Sequence, residues 1–143
     1  MSQTVGRPIL LSLSQTIDAD KKAYYTELEN AQQSNEITNW ISYFVNTTIA
    51  AQQQALVLID FILKKAKFFD RFRDQLNERQ FKIITKMMDA GPQGFEGGMN
   101  ANKYLSITKV SKATATRDLQ ELVKIGVLTI KGNARSTSYT LNI

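Results

Sequence analysis

The chain contains no histidine and no cysteine. That removes imidazole general bases, thiol nucleophiles, disulfides and the usual ligands of zinc, iron-sulfur and haem sites. No catalytic residue and no metal ligand is assigned. What remains for chemistry is amines, guanidinium groups, carboxylates and hydroxyls, and their most useful grouping is cationic. Thr114, Arg117 and Lys124 fall on one outer face with Ala113, Gln120 and Glu121 at helical spacing, Lys112 projects from the start of the same helix, and Lys131, Asn133, Arg135 and Ser136 follow in a segment rich in turn residues. Arginine forks onto a guanine edge or a phosphate, lysine neutralises phosphates, and small residues such as Ala113 and Thr114 permit close backbone approach. The pattern fits a surface that meets nucleic acid. Solvated wing residues, with Arg117 paired to a neighbouring carboxylate, would use the same residue types.

Three other motifs carry less. Gly91-Pro92-Gln93-Gly94-Phe95-Glu96-Gly97-Gly98 lacks the Gly-Lys-Ser/Thr ending of a phosphate loop and follows a helical pattern rather than a strand, so it reads as a connector. Asn46-Thr47-Thr48 has the glycosylation pattern but lies inside a helical segment. The basic-aromatic stretch from Lys64 to Arg73 either touches an acidic partner or complements the dipole of a helix C-terminus, and the second reading is preferred.

The charge distribution supports the cationic grouping. Of 143 residues, those from Met1 to Gln75 hold eight Lys and Arg and eight Asp and Glu, whereas those from Leu76 to Ile143 hold ten and five. All of the net charge of +5 therefore belongs to the second part. No apolar run approaches the ~18 residues that span a bilayer, and the start has no signal-peptide core, which makes the cytoplasm the default location.

The periodicity supplies the elements that must position these residues. Pro8 suits a first helical turn, and Ile9, Leu13, Ile17, Tyr24 and Leu28 predict one long or broken helix to about Gln33. A loop from Ser34 to Ile37 precedes a helix capped by Thr38, with Ile41, Phe44, Val45, Ile49, Leu56, Ile59, Ile62 and Leu63 as its apolar face. Asn77 caps a helix from Glu78 to Met88, with Phe81, Ile84, Met87 and Met88 inside, and Ala101 to Ile107 forms a short one. Ser111 caps a helix reaching Ile125, with Ala115, Leu119, Leu122 and Val123 inward and Gly126 as its stop. Val127 to Ile130 and Ser138 to Leu141 are β-rich, with Gly132-Asn133 as turn chemistry. The fold class expected is mainly α: a helical segment over residues 1–75, then a winged helix-turn-helix with a small β-hairpin wing over residues 76–143.

The C-terminal blocks Leu76-Asn77-Glu78-Arg79-Gln80, Gly94-Phe95-Glu96-Gly97-Gly98, Ser111-Lys112-Ala113-Thr114-Ala115-Thr116-Arg117-Asp118-Leu119, Gly126-Val127-Leu128 and Arg135-Ser136-Thr137-Ser138-Tyr139 resemble the C-terminal winged helix of bacterial Fic-family proteins. Upstream, Pro8-Ile9-Leu10, Leu13-Ser14, Ile17, Tyr24-Tyr25, Leu28, Ile37-Thr38-Asn39-Trp40-Ile41 and Tyr43-Phe44 are similar to the segment that follows the catalytic motif in that family. The resemblance covers nearly the whole chain. It implies a parent that transfers AMP from ATP, with magnesium, to protein hydroxyls through a His-Pro-Phe…Gly-Asn-Gly-x-x-Arg motif. None of that motif is present, so the 143 residues are expected to be a non-enzymatic C-terminal fragment that needs no cofactor itself. The partners expected are duplex DNA at the winged helix, or a protein docked there in its place. Self-association is also expected, through apolar faces around Leu13, Tyr24, Trp40 and Phe44 that would otherwise cover a catalytic core.

Overall fold

The structure, a computed structural model, describes the backbone of residues 6–33, 35–133 and 136–143, and side chains from Leu13 onward. Of the residues singled out above, Ser34 and Arg135 and the side chains of Pro8, Ile9 and Leu10 lie outside the described residues. The described part is mainly helical and carries a two-stranded antiparallel hairpin. None of its helices is long and apolar enough to cross a membrane.

The chain separates into two compact units, residues 1–59 and 60–143. The sequence reading put the division after Gln75. It falls earlier because Phe61, Phe68 and Phe72, on the last turns of a long helix, belong to the core of the second unit.

In the first unit, α1 (Gly6–Ala19) and α2 (Lys21–Gln32) are the broken form of the expected N-terminal helix. Asp20 makes the break: its backbone leaves helical geometry, and its side chain accepts from the Ala23 N–H, capping α2. The long helix α3 (Thr38–Phe72) has 35 residues. Thr38 is its first helical residue rather than its cap. The Glu36 carboxylate accepts the Thr38 N–H at 2.8 Å, and hydrogen bonding to Thr38 holds the Glu36 carboxyl below its ordinary pKa. Within this unit Tyr24 packs edge-on to Trp40, with ring centres 5.7 Å apart, and the Thr16 hydroxyl reaches Gln54 on α3.

The face that α3 turns inward here is small: Thr47, Ala51 and Ala55, at intervals of four, are buried. The large residues expected to face the core do the opposite. Ile41, Phe44, Val45, Ile49, Leu56 and Ile59, and further along the same helix Ile62 and Leu63, are between 38% and 66% exposed. Small residues thus occupy the inward face of α3 and the bulky stripe lies on the outside. The Asn46-Thr47-Thr48 motif sits on this helix, and both threonine hydroxyls donate back to carbonyls one turn earlier.

The second unit follows the sequence closely. A 3-10 turn, Arg73–Gln75, leads into α4 (Glu78–Met88). Asn77 and Gln80 form a reciprocal capping box at its start. Ile83, Ile84, Met87 and Met88 are buried; Phe81, expected inside, is only half-buried and packs on Phe69 with Arg73 over its ring. Asn100 caps α5 (Ala101–Thr108), which ends with Lys109 at φ +59°. Ser111 caps α6 (Lys112–Lys124) by accepting from Thr114. Gly126 ends α6 at φ +79°, and the paired bonds Val127 N–H to Leu122 O and Gly126 N–H to Val123 O are those of a Schellman stop.

The hairpin pairs β1 (Leu128–Lys131) with β2 (Ser138–Leu141), Leu128 opposite Leu141 and Lys131 opposite Ser138. A third chain segment joins it: Met99 and Tyr139 exchange both backbone hydrogen bonds, at 2.8 and 2.7 Å. The segment before α5 thus forms a one-residue strand beside β2, which the sequence reading did not anticipate. Gly98 makes the approach possible, because a Cβ there would lie 3.0 Å from Ser138 Cβ and 3.1 Å from Tyr139 O, on a backbone already at φ +64°. Gly98→Ala should therefore lower stability by more than the roughly 1 to 2 kcal/mol expected of left-handed strain alone. Gly91→Ala, with the same sign of φ and open space at its Cβ, should stay near that value. Urea unfolding of the two variants checks the difference.

Candidate nucleic-acid interface

The orientation of α6 is set from its inner face. Ala115, Leu119 and Leu122 are fully buried, and the same helical spacing places a carboxylate among them, Asp118, at 2% exposure. A buried charge is stable only when paired and hydrogen-bonded. Asp118 meets both conditions. The Tyr104 hydroxyl of α5 donates to it at 2.9 Å, and the Arg79 guanidinium of α4 donates through Nε at 3.1 Å and Nη2 at 3.4 Å. One turn further along, Glu121 accepts from Gln80 Nε2 at 2.9 Å, while Gln80 Oε1 accepts the Asn77 N–H of the α4 cap. Two side-chain connections thus fix α6 to α4, and one fixes it to α5.

This arrangement decides the state of the outer face. Lys112, Ala113, Arg117, Gln120, Glu121 and Lys124 are exposed, as the periodicity predicts. Thr114 is half-buried; its hydroxyl lies 3.0 Å from that of Ser111, so it serves the helix start. Arg79 occupies the carboxylate adjacent in sequence to Arg117, and among the described residues Arg117, Lys112 and Lys124 make no ion pair. The alternative in which Arg117 is neutralised by a neighbouring carboxylate is not what the geometry gives. Twelve positions at about 1.5 Å each separate Lys112 from Lys124, so the cations run roughly 18 Å along the helix with Arg117 between them.

The hairpin carries the second group. Lys131, Asn133 and Ser136 are exposed, and Arg135 lies outside the described residues. The Asn133 carbonyl accepts both the N–H and the hydroxyl of Ser136, at 3.1 and 2.9 Å. This closes the turn around Gly132, whose φ is +79° and where a Cβ would stand 2.5 Å from Ser136 O. Ser136 is thereby a turn-forming residue as well as a surface one. Among the described residues, the Lys131 ammonium and the Asn133 amide make no side-chain hydrogen bond or ion pair. Lys131 also lines a cleft of about 520 Å³ with Phe61, Met87, Phe95 and Thr140.

The glycine segment before Met99 turns carbonyls toward a neighbouring lysine. Lys103 Nζ donates to the carbonyls of Glu96 and Gly98, at 2.6 and 3.0 Å, and lies over the Phe95 ring. The N–H groups of Gly94 and Gly98 are used in turns, to Gly91 O and Phe95 O. A phosphate cradle presents N–H groups to its ligand; this loop presents carbonyls to a lysine.

Sequence reasoning missed Asp118, Tyr104, Arg79 and Gln80 as the residues that orient α6. A signal was available, since the rule that turns Ala115 and Leu122 inward also turns Asp118 inward, three residues after one and four before the other. No family model matches the chain, and no curated protein matches it.

The Asp118 cluster generates a pH dependence. Burial first, then the hydrogen bond to Asp118 and its charge, push the Tyr104 phenol well above its ordinary value of 10.0. The folded state thus favours the neutral phenol, and the stability that this provides is complete below pH 10 and lost as pH rises beyond it. Tyr104→Phe should cost about 1.5 to 3 kcal/mol at pH 7, the range for a hydrogen bond to a charged group. The gap between wild type and variant should narrow above pH 10, and urea unfolding at pH 7 and pH 11 measures it. A constant gap would mean that Tyr104 does not keep its proton in the fold.

Proposed function

We propose that the chain is the C-terminal region of a bacterial Fic-family protein and that residues 76–143 act as a winged helix-turn-helix that binds duplex DNA. The observation that carries the binding reading is the unpaired cationic face of α6. Arg117 lies along the helix between Lys112 and Lys124 and makes no ion pair among the described residues, while the buried Asp118 is engaged from behind. A helix held rigidly on its inner face and left cationic on its outer face suits insertion into the major groove. The winged-helix reading draws support from the succession α4, Met99 strand, α5, α6 and hairpin, in which the hairpin projects Lys131 and Asn133. The cytoplasm is the compartment that this reading assigns.

In this reading Arg117 addresses a base edge, whereas Lys112, Lys124 and Lys131 contact phosphates and release counterions. The logarithm of the binding constant should fall with the logarithm of salt at a slope of about −0.9 per phosphate contact. Lys131→Ala should weaken all sequences alike and flatten the slope by about one unit. Arg117→Ala should cost roughly 1 to 3 kcal/mol and relax preference at one position. Fluorescence anisotropy with labelled duplexes over a salt series reads both. Absence of duplex binding at low salt, together with loss of a protein partner on Arg117→Ala, would make the unit a protein-docking module instead.

The resemblance assigns nucleotide transfer to the parent, with ATP and magnesium as its requirements, and places its catalytic histidine outside these residues. Incubation of the 143-residue chain with labelled ATP, magnesium and candidate acceptor proteins should leave every protein unlabelled. Magnesium-dependent labelling that survives repurification would overturn this part of the proposal.

A further inference from the structure

From Ile37 to Ile59 the chain has no charged residue. Across this stretch α3 turns Thr47, Ala51 and Ala55 into its own unit and leaves Ile41 51%, Phe44 42%, Val45 49%, Ile49 48%, Leu56 66% and Ile59 38% exposed. At about 100° per residue these six fall within an arc of roughly 140°, while Val57 and Leu58, also exposed, lie outside it. Together they expose on the order of 600 Å² of apolar surface, at the top of the range for the largest patch on a soluble monomer. With the flanking Thr48, Gln52 and Gln53 the face approaches the roughly 800 Å² that each partner buries in a specific dimer.

We propose that this face of α3 is a homodimer interface, in which two copies of the chain pair their α3 helices antiparallel about a two-fold axis near Gln52. The absence of charge leaves nothing to select a foreign partner by complementarity, whereas an isologous contact requires only that the surface complement itself. The sequence of the stripe does so. Val45 and Ile59 stand seven residues on either side of Gln52, and Thr48 and Leu56 stand four on either side. Antiparallel pairing sets Val45 against Ile59 of the other copy, the large Leu56 against the smaller Thr48, and Gln52 against Gln52, whose amides donate and accept reciprocally. The Thr48 hydroxyl is already bonded to Phe44 O, so burying it strands no donor. The inference concerns the first unit only and does not depend on the DNA-binding reading.

The complete chain tests it. Light scattering and sedimentation at micromolar concentration should give twice the 16.1 kDa chain mass. Val45→Glu and Ile59→Lys should each raise the dimer dissociation constant at least about tenfold while leaving the helical circular dichroism unchanged. Combining the two in one chain should restore dimerisation, because antiparallel pairing brings the new charges together across the axis; parallel pairing would set like charges opposite each other. The chain has no cysteine, so Gln52→Cys provides a second test that needs no core change. It should cross-link to a disulfide dimer on mild oxidation, and Gln53→Cys, 100° around the helix, should not. A monomer at all concentrations, a dimer indifferent to Val45→Glu, or equal cross-linking at 52 and 53 would each overturn the proposal.

Discussion

The second unit depends on one buried carboxylate. Asp118 lies among Ala115, Leu119 and Leu122 on the inner face of α6, where an unpaired charge would be prohibitive. Its partners come from two other helices, Arg79 from α4 and Tyr104 from α5. Hydrophobic contacts among Ile83, Ile84, Met87 and Leu119 bring the helices together but tolerate sliding and rotation. A carboxylate with two fixed donors does not. The Asp118 cluster therefore converts a general hydrophobic association into one arrangement, and removing either partner leaves a buried charge under-satisfied rather than merely losing a contact.

The same constraint accounts for the free guanidinium on the other side of α6. Arg117 and Asp118 are neighbours in sequence and about 100° apart around the helix, so they cannot both serve one face. Arg79, reaching Asp118 from α4, leaves Arg117 with no local role. The glycine segment shows a comparable logic. Its carbonyls are gathered by Lys103, and Gly98 lets Met99 lie against Tyr139, which ties the start of α5 to the hairpin. The elements that would present Arg117 and Lys131 to a ligand are thus fixed by residues that touch no ligand.

Much of this was legible from local chemistry. The starts of α4 and α6 followed from Asn77 and Ser111, and the end of α6 from Gly126, because capping depends on neighbouring residues alone. Four features were not. The inward turn of Asp118 was masked by its charge, which invites a surface reading despite its helical position. The Met99 strand is a single pair of backbone bonds, with no alternation to announce it. The division near residue 59 depends on which unit takes Phe61, Phe68 and Phe72, a tertiary choice on a helix without interruption. The apolar stripe of α3 was readable as a stripe, but periodicity states only that a face must be covered and does not say by what.

The last point separates the two units in kind. In the second unit, Ile83, Ile84, Met87, Leu119 and Leu122 face inward and the exposed residues of α6 include Lys112, Arg117 and Lys124, so what that helix offers to a partner is charge and hydrogen bonding. In the first, small residues face inward and the exposed ones are aliphatic and aromatic, so what it offers is area. The two kinds of surface respond differently to conditions. Contacts that Arg117 and Lys131 would make with a polyanion should weaken as salt rises, because they would depend on counterion release. Contacts that Val45, Ile49 and Leu56 would make across the proposed dimer should not, because they would depend on removing apolar surface from water. If both proposals hold, a chain carrying both surfaces would stay assembled through α3 while its cationic face engages and releases a polyanion.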